Sequence, residues 1–483
     1  MERMKVVASQ KTLNKTNLEA LGAERLAELL IEVSSGNPGV KRRIRLELAS
    51  AQSPTEVAKE IRKRLTTIAR SRSFVDWHNR RGLVEDLETQ RRAIHQVAEA
   101  DPAEGLELMW RFMALANSVF GRCDDSSGTV GSIFHAACRD FGEMAQEAKA
   151  SPDELADRAF GALIDNDYGQ YDELITVLSP TLGPSGLNQL KQRFIGLSKE
   201  PLGKPKDKDR KVIAWGSGGA LYADDISARH RASVICLALE EIADAQGDVD
   251  AYIAQQSEAA RTVPKIAADI AQRLLKAGRP KEAWSAINAV DENRTGWIPY
   301  EWEEVRIDVM EALGRMEEAQ AFRWQCFERT LSSAHLCAFL KRLPDFEDVD
   351  AEERAMATAL RFSEVHQALA FLVSWPALEK AASLVLARAN ELNGDHYEIL
   401  SPAADALAGK HPLAATLLLR AMIDFALKHN RVKRYRHAAR HLAECGSLAK
   451  AVRDFSNFEP HERYATRLKH ERGRKTSFWS LVS

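Results

Sequence analysis

Two histidines and a cysteine recur at four-residue steps near the C-terminal end of the chain. They are His437, His441 and Cys445, within a segment predicted to be helical. Residues four apart share one face of a helix, and a thiol with two imidazoles can bind a transition metal. An alanine follows His437, so the glutamate base of an HExxH peptidase is missing. We expect a mixed stripe, with the histidines facing solvent and the cysteine facing the core, and we expect no bound metal or cofactor.

A basic segment overlaps this stripe and forms the main candidate binding site. Its candidate residues are Arg431, Lys433, Arg434, Tyr435, Arg436, His437 and Arg440. Positive charge around an aromatic ring suits a nucleic-acid backbone or an acidic peptide. The alternative is a solvated helix face that has no ligand.

The charge of the chain is distributed unevenly, although the formal net charge is only -2. Residues 1–95 carry 19 Lys and Arg against 12 Asp and Glu, and residues 428–475 carry 14 against 5. The N-terminal basic residues are Lys41, Arg42, Arg43, Arg45, Arg62, Lys63, Arg64, Arg70 and Arg72. Basic ends around an acidic middle either attract a charged partner or pair with that middle in the fold.

Sequence motifs for catalysis are missing from the chain. The six cysteines form no CxxC pair, and no GxSxG or GxxxxGK[ST] motif occurs. The glycines Gly216, Gly218 and Gly219 lack the preceding strand and the acidic partner of a dinucleotide-binding fingerprint. The sequence therefore favours a non-catalytic protein, and a metal-dependent enzyme is the weaker alternative.

The elements that would position these residues are helices. Apolar residues recur at three- and four-residue steps from Leu18 to Val33, which predicts one amphipathic helix. Ser53-Pro54, Asp101-Pro102 and Ser151-Pro152 each place a capping residue before a proline at the first helical position. No apolar stretch approaches the length of a membrane span, and we expect a cytoplasmic protein.

A repeat is visible in the second half of the chain. The segment from Ile270 to Trp284 aligns with the segment from Val309 to Gln320 at a shift of 36 residues. Both read as a helix, a Gly-Arg turn and a second helix that opens with Glu-Ala. This period is close to that of tetratricopeptide repeats. The sequence thus predicts an all-α fold of stacked helical hairpins, an α-solenoid of tetratricopeptide-like type in at least the C-terminal half.

The domain organisation follows from composition. Residues 199–223 combine a lysine cluster with a glycine run and contain one short strand candidate, Lys211 to Trp215. We expect a flexible N-terminus (1–16), a helical domain (17–198), a loop or linker (199–223), a tetratricopeptide-like repeat domain (224–475) and a C-terminal tail (476–483).

Several stretches resemble a known family. They lie at residues 12–32, 41–48, 342–346, 412–421, 434–440 and 473–479. These stretches look like an uncharacterised family of bacterial proteins found mainly in alphaproteobacteria. The same helical phrases are similar to the tails of SWIM zinc-finger proteins, although the CxCx(n)CxH metal motif of those proteins is missing here. The resemblance implies a helical-repeat body and no catalytic residue.

These observations favour a scaffold that holds a protein or peptide partner. Stacked hairpins create a continuous groove, and aromatic side chains often anchor ligands there. The candidate groove residues are Trp284, Trp297, Tyr300, Trp302, Trp324 and Phe327, some of which must belong to the core. The alternative is nucleic-acid binding through the basic N-terminal and C-terminal helices.

Overall fold

The chain folds almost entirely as α-helices in the computed structural model, which describes residues 12–201, 211–216, 219–290 and 298–482. The chain divides into two compact units, Met1–Ala260 and Arg261–Ser483. The linker predicted at 199–223 lies inside the first unit, and the predicted domain boundaries stay a prediction. None of the helices in the described ranges is long and apolar enough to cross a lipid bilayer.

The first unit is built from helices that follow one another closely. They are α1 (Lys15–Glu19), α2 (Ala23–Ser35), α3 (Pro38–Ser50), α4 (Pro54–Arg70), α5 (Arg80–Ala100), α6 (Pro102–Met113), α7 (Ala116–Phe120), α8 (Thr129–Glu147), α9 (Pro152–Ile164), α10 (Leu174–Lys199), α11 (Ala223–Gln246), α12 (Val249–Gln255) and α13 (Glu258–Arg261, whose last residue opens the second unit). Its core contains large buried side chains such as Phe112, Phe134, Phe141 and Phe194.

The helix starts in this unit follow the predicted capping device. The Ser53 hydroxyl accepts a hydrogen bond from the Glu56 amide, and the Asp101 carboxylate accepts one from the Glu104 amide. Each cap satisfies one of the amides that an α-helix leaves free at its start. Ser151 precedes a helix as predicted but makes no such side-chain bond.

The predicted single helix from Leu18 to Val33 is wrong, because the structure divides it into α1 and α2. The break lies at Gly22, where φ is 79°. A positive φ is incompatible with helix continuation and is readily adopted by glycine. The apolar residues keep their helical spacing across Gly22, so the periodicity of the sequence could not reveal the break.

A two-stranded antiparallel hairpin lies where a long loop was expected. Its strands are β1 (Val212–Gly216) and β2 (Gly219–Tyr222). The strand candidate from Lys211 to Trp215 is thus largely β1. Residues 202–210 and 217–218 of the same segment lie outside the described residues, as do residues 1–11 of the predicted flexible N-terminus.

The second unit is a stack of helices. They are α14 (Pro264–Lys276), α15 (Pro280–Ile287), α16 (Tyr300–Ala312), α17 (Met316–Thr330), α18 (Ser333–Leu340), α19 (Glu347–Arg361), α20 (Val365–Ser374), α21 (Leu378–Ala387), α22 (Tyr397–Leu407), α23 (Pro412–Lys428), α24 (Tyr435–Ala449), α25 (His461–Arg472) and α26 (Thr476–Trp479). Helices mainly contact their next and next-but-one neighbours. This confirms the predicted all-α fold of stacked, tetratricopeptide-like hairpins.

The predicted repeat is confirmed in detail at the two Gly-Arg turns. Gly278 and Gly314 adopt φ values of 71° and 75°, which lets the backbone reverse direction between the two helices of each hairpin. The next residue forms the same ion pair in both copies, since Nε lies 2.7 Å from Oε1 in Arg279–Glu282 and in Arg315–Glu318. One turn structure is therefore used twice, 36 residues apart.

Candidate functional site

A pocket of about 260 Å³ lies between α22, α23 and α24 in the second unit. Four residues of the predicted binding segment line it: Lys433, Arg434, His437 and Arg440. These residues follow one another on a short 3-10 turn (Val432–Arg434) and the first turns of α24. The end of one hairpin therefore brings the positive charge of the segment to a concave surface.

The floor of this pocket is apolar. Met422 and Ala426 reach it from α23, and Ala438 reaches it from α24. All three are buried. None of the described residues that line the pocket is Asp or Glu, so the pocket combines a basic rim with an apolar floor.

Arg434 is fixed within the rim by two contacts. Its Nη1 donates to Oδ1 of Asp395 at 2.8 Å, and its guanidinium lies 4.6 Å from the centre of the Tyr397 ring. The carboxylate neutralises this guanidinium, while the aromatic ring limits its orientations. Arg434 thus shapes the rim more than it adds charge to it.

The two other rim cations, Lys433 and Arg440, and the imidazole of His437 are available to a ligand. Lys433, His437 and Arg440 are exposed, and within the described part of the chain none has a hydrogen-bonded or ion-paired side-chain partner. Unpaired cations around a shallow low-dielectric floor concentrate positive potential in the pocket. An anionic group would find its counter-charges there.

His441 also lines this pocket but differs from the rim residues because it is only 7% exposed. Burial, together with the charge of Arg440, lowers the pKa of its imidazole, which is therefore neutral at pH 7. Its Nδ1 lies 3.7 Å from Oε2 of Glu444, and it has no hydrogen-bond partner in the described ranges. The ring thus keeps a hydrogen-bonding position that the fold does not use.

The remaining residues of the predicted segment lie elsewhere. Tyr435 is 4% exposed and packs edge-on against Phe478, so its ring belongs to the core. Arg431 and Arg436 are exposed and do not line the pocket. The aromatic side chain that does line it is Tyr397, which comes from α22.

The stripe of His437, His441 and Cys445 is divided between surface and core. His437 is exposed, whereas Cys445 is fully buried with its Sγ 3.9 Å from the Thr416 carbonyl oxygen. Burial raises the pKa of the Cys445 thiol to about 12, which keeps it protonated. The stripe does not present a thiolate beside its histidines.

The family comparison gives a clear result for the whole chain. The model of a family of unknown function, DUF6880, matches residues 8–481. The chain belongs to this family. That agrees with the resemblance to an uncharacterised family seen in the sequence.

The other comparisons are less informative. No curated protein matches the sequence of this family member. One solved structure that resembles it is that of Naa15/Naa10 bound to HypK-THB, with 13% sequence identity and a TM-score of 0.32. The match covers 95% of this chain and only 65% of that one. Similarity this low says nothing about the partners of the DUF6880 protein.

Sequence reasoning missed a polar cluster within the second unit. Glu303 on α16, Cys326 on α17 and His335 on α18 place their ligand-type atoms within 4.8 Å of one another, and all three residues are buried. Nε2 of His335 lies 2.7 Å from Oε2 of Glu303, and Arg329 donates to Oε1 of the same carboxylate. Burial, and then the charge of Glu303, raises the pKa of Cys326 to about 12.

This donor set is of a kind that zinc accepts, but its carboxylate oxygens already have protein partners. We interpret the cluster as a polar network that joins three consecutive helices. Its members are far apart in the sequence and follow no local motif. Only the packing of the hairpins brings them together.

The predicted groove aromatics are mostly core residues. Trp302, Trp324 and Phe327 are buried, which is the packing role expected for some of the set. Trp284 is half-buried beneath the Arg315 guanidinium, 4.3 Å from its ring centre, and Tyr300 is exposed. Trp297 lies outside the described residues. Among the five that the structure describes, three are therefore core residues and do not line a groove.

Proposed function

We propose that this DUF6880 protein is a non-catalytic helical-repeat scaffold whose second unit binds an acidic segment of a partner protein. The observation that carries the proposal is the pocket on α24, where the unpaired cations Lys433 and Arg440 and the imidazole of His437 surround an apolar floor. An acidic peptide matches this arrangement, since a carboxylate can pair with the rim while its methylene groups or a neighbouring apolar side chain cover Met422 and Ala426.

The size of the pocket supports a peptide rather than a whole cofactor. Its volume of about 260 Å³ lies below the roughly 300 to 1,000 Å³ of sites that enclose a complete small-molecule ligand. A pocket of this size accommodates one or two side chains of a longer ligand. The rest of such a ligand would extend over the neighbouring helices of the stack.

The chemistry of the lining supports a binding role. Two lining residues, Tyr397 and Ser401, carry a hydroxyl group. The Oγ of Ser401 lies 3.4 Å from Sδ of Met422 instead of contacting a histidine. A nucleophile needs an adjacent base that is itself oriented by a third group. Although Glu444 lies 3.7 Å from Nδ1 of His441, the Ser401 hydroxyl is directed to Met422, so the pair of nucleophile and base is not formed here.

The remaining features of the proposal concern the setting of the protein. We infer a cytoplasmic protein of a bacterial cell, on the basis of the alphaproteobacterial resemblance and the reduced cysteines. The likeness to SWIM zinc-finger tails concerns the helical body alone.

Nucleic-acid binding is the second candidate function. It is supported by the positive rim described above and by basic residues on α3 and α4 of the first unit. A backbone of phosphates would contact such cations without reading sequence, and its affinity would fall steeply with salt.

The test uses the full chain and defined probes. Fluorescent hexapeptides, each made in matched Glu and Gln versions, are compared with a single-stranded oligonucleotide by anisotropy at 50 and 200 mM salt. The pocket variant is Lys433→Glu with Arg440→Glu. The matched control is Arg361→Glu with Lys410→Glu, which changes the net charge equally at exposed positions outside the pocket.

The expected result is that Glu peptides bind more tightly than their Gln versions and that the pocket variant weakens this binding about tenfold or more, which corresponds to about 1.4 kcal/mol. The control should change the affinity by less than about twofold. Equal loss in both variants, or binding of the oligonucleotide alone, would contradict the peptide-scaffold proposal. The second of these outcomes would favour the nucleic-acid candidate.

A further inference from the structure

A second positively charged pocket lies in the first unit, between α3, α4 and α5. Its volume is about 300 Å³. The cations that line it are Lys41, Arg42 and Arg45 from α3 and Lys63 and Arg64 from α4. On α3, Arg45 follows Lys41 by four residues and Arg42 by three, so the three share one helix face. Lys63 and Arg64 are adjacent on α4, which contacts α3, and both helices present basic residues to the same space.

One buried carboxylate fixes two of these cations. Asp86 on α5 is 9% exposed and accepts hydrogen bonds from Nε of Arg64, at 2.9 Å, and from its Nη2. Nε of Arg42 lies 3.8 Å from the other oxygen of Asp86. Because both guanidinium groups are held before any ligand arrives, less side-chain entropy is lost when one binds.

The pocket retains positive charge after its internal pairing. Asp86 offsets one of the two arginines, and Glu60 lies 3.7 Å from the Lys63 ammonium group. Lys41 and Arg45 are exposed and have no side-chain partner in the described part of the chain. Five cations against two carboxylates leave a charge that a single carboxylate ligand would not neutralise.

Two buried polar groups at this pocket have unused hydrogen-bonding capacity. Gln90 is 4% exposed and lines the pocket, and its Oε1 has no hydrogen-bond partner among the described residues. Nε of Arg42 is likewise without a hydrogen bond in that set. An unsatisfied buried group costs about 1 to 3 kcal/mol, so a ligand that satisfies it is favoured. One donor and one acceptor are available here.

We infer that this pocket binds the phosphate group of a small phosphorylated ligand, such as a nucleotide or a sugar phosphate. A phosphate ester carries about -1.5 to -2 charge at pH 7, which suits the excess of cations. Its oxygens can accept hydrogen bonds from the guanidinium nitrogens of Arg42 and Arg64 that Asp86 leaves unused. A hydroxyl group of the same ligand can donate to Oε1 of Gln90, and the volume of about 300 Å³ admits the phosphate end of such a ligand.

The experiment measures binding of inorganic phosphate, pyrophosphate and ADP to the full chain by calorimetry at 50 mM salt. The pocket variant is Lys41→Glu with Arg45→Glu, two exposed residues whose replacement leaves the Asp86 network intact. The matched control is Arg70→Glu with Arg72→Glu, which makes the same change in charge in the same unit away from the pocket. Gln90→Leu tests the neutral contact while keeping every charge.

We expect pyrophosphate and ADP to bind, the pocket variant to weaken them about tenfold or more, and the control to change them by less than about twofold. Gln90→Leu should weaken ADP, which has hydroxyl groups, more than pyrophosphate. If none of the three probes binds at millimolar concentration, the inference is overturned. Equal weakening of binding by the two double variants would overturn it as well.

A length series of oligonucleotides supplies a further arm. If affinity rises with each added phosphate and exceeds that of ADP, the pocket belongs to an extended nucleic-acid surface and the small-ligand inference is overturned. The outcome is independent of the peptide experiment, because the variants and probes address a different unit of the chain.

Discussion

Glu241 on α11 provides a sharp test of the electrostatics of the first unit. Burial raises the pKa of its carboxyl group from the ordinary value of 4.5 to about 7, and the charges of Asp172, Asp244 and Glu240 add to this effect. Its Oε2 is buried and has no hydrogen-bond partner among the described residues. The fold therefore holds this carboxylate in an unfavourable place once it ionises.

The magnitude and the sign follow from the raised pKa. Between pH 4.5 and about 7 the folded chain binds more protons than the unfolded chain, so stability decreases as pH rises through this window. Above pH 7 the folded state is disfavoured by about 3 kcal/mol relative to a neutral group at this position. We predict that Glu241→Gln removes this pH-dependent loss.

The assay compares the variant with the natural chain at pH 5 and pH 8. Urea denaturation is followed by hydrogen exchange of peptides from α11, because a global signal would combine two units. The variant's stability relative to the natural chain should rise by roughly 2 to 3 kcal/mol between the two pH values. The difference between pH values is decisive, since a buried amide carries its own pH-independent cost.

The control for this experiment is Glu99→Gln, which neutralises an exposed carboxylate on α5. Its stability relative to the natural chain should be nearly the same at both pH values. If Glu241→Gln shows no greater gain at pH 8 than at pH 5, the carboxylate is solvated and the reasoning from burial is refuted.

Two further predictions concern the second unit. Glu303→Gln should destabilise the chain by about 3 kcal/mol in chemical denaturation, because it removes the charge that pairs with Arg329 and the acceptor that contacts His335. Glu301→Gln, on the exposed face of the same helix, should change stability little, and equal effects would show that the buried network is unimportant. Gly314→Ala should lower the stability of the chain by about 1 kcal/mol, because φ is positive at this position. Gly409→Ala should not lower it, since φ is not positive there and the space around an added Cβ is open. A lower thermal midpoint for Gly409→Ala than for Gly314→Ala would contradict the turn assignment.

The sequence was informative wherever structure depends on neighbouring residues. Ser53 and Asp101 cap the helices that they were predicted to start, and Gly278 and Gly314 make the predicted turns. Each of these features is decided within a few residues, by an amide that needs an acceptor or by a backbone angle that favours glycine. Such requirements leave a mark in the local sequence.

The sequence was less informative wherever three helices meet. Tyr435 stands among arginines and was expected at the binding surface, yet Phe478 from α26 covers it. The buried carboxylate of Glu303 finds its partners on two later helices. These contacts depend on the rotation of each helix about its axis, which hydrophobic periodicity defines only to about one residue position.

The two basic regions that the charge distribution revealed are chemically different sites. On α24 the rim cations surround buried methyl and thioether groups without a lining carboxylate, so a ligand gains both charge pairing and apolar contact. On α3 and α4, Arg42 and Arg64 are already anchored by Asp86, and the unused groups are polar. A polyanion attracted only by net charge would not distinguish them. Because the two pockets differ in floor, anchoring and unsatisfied groups, we expect them to bind different classes of anion, a peptide carboxylate in one and a phosphate ester in the other.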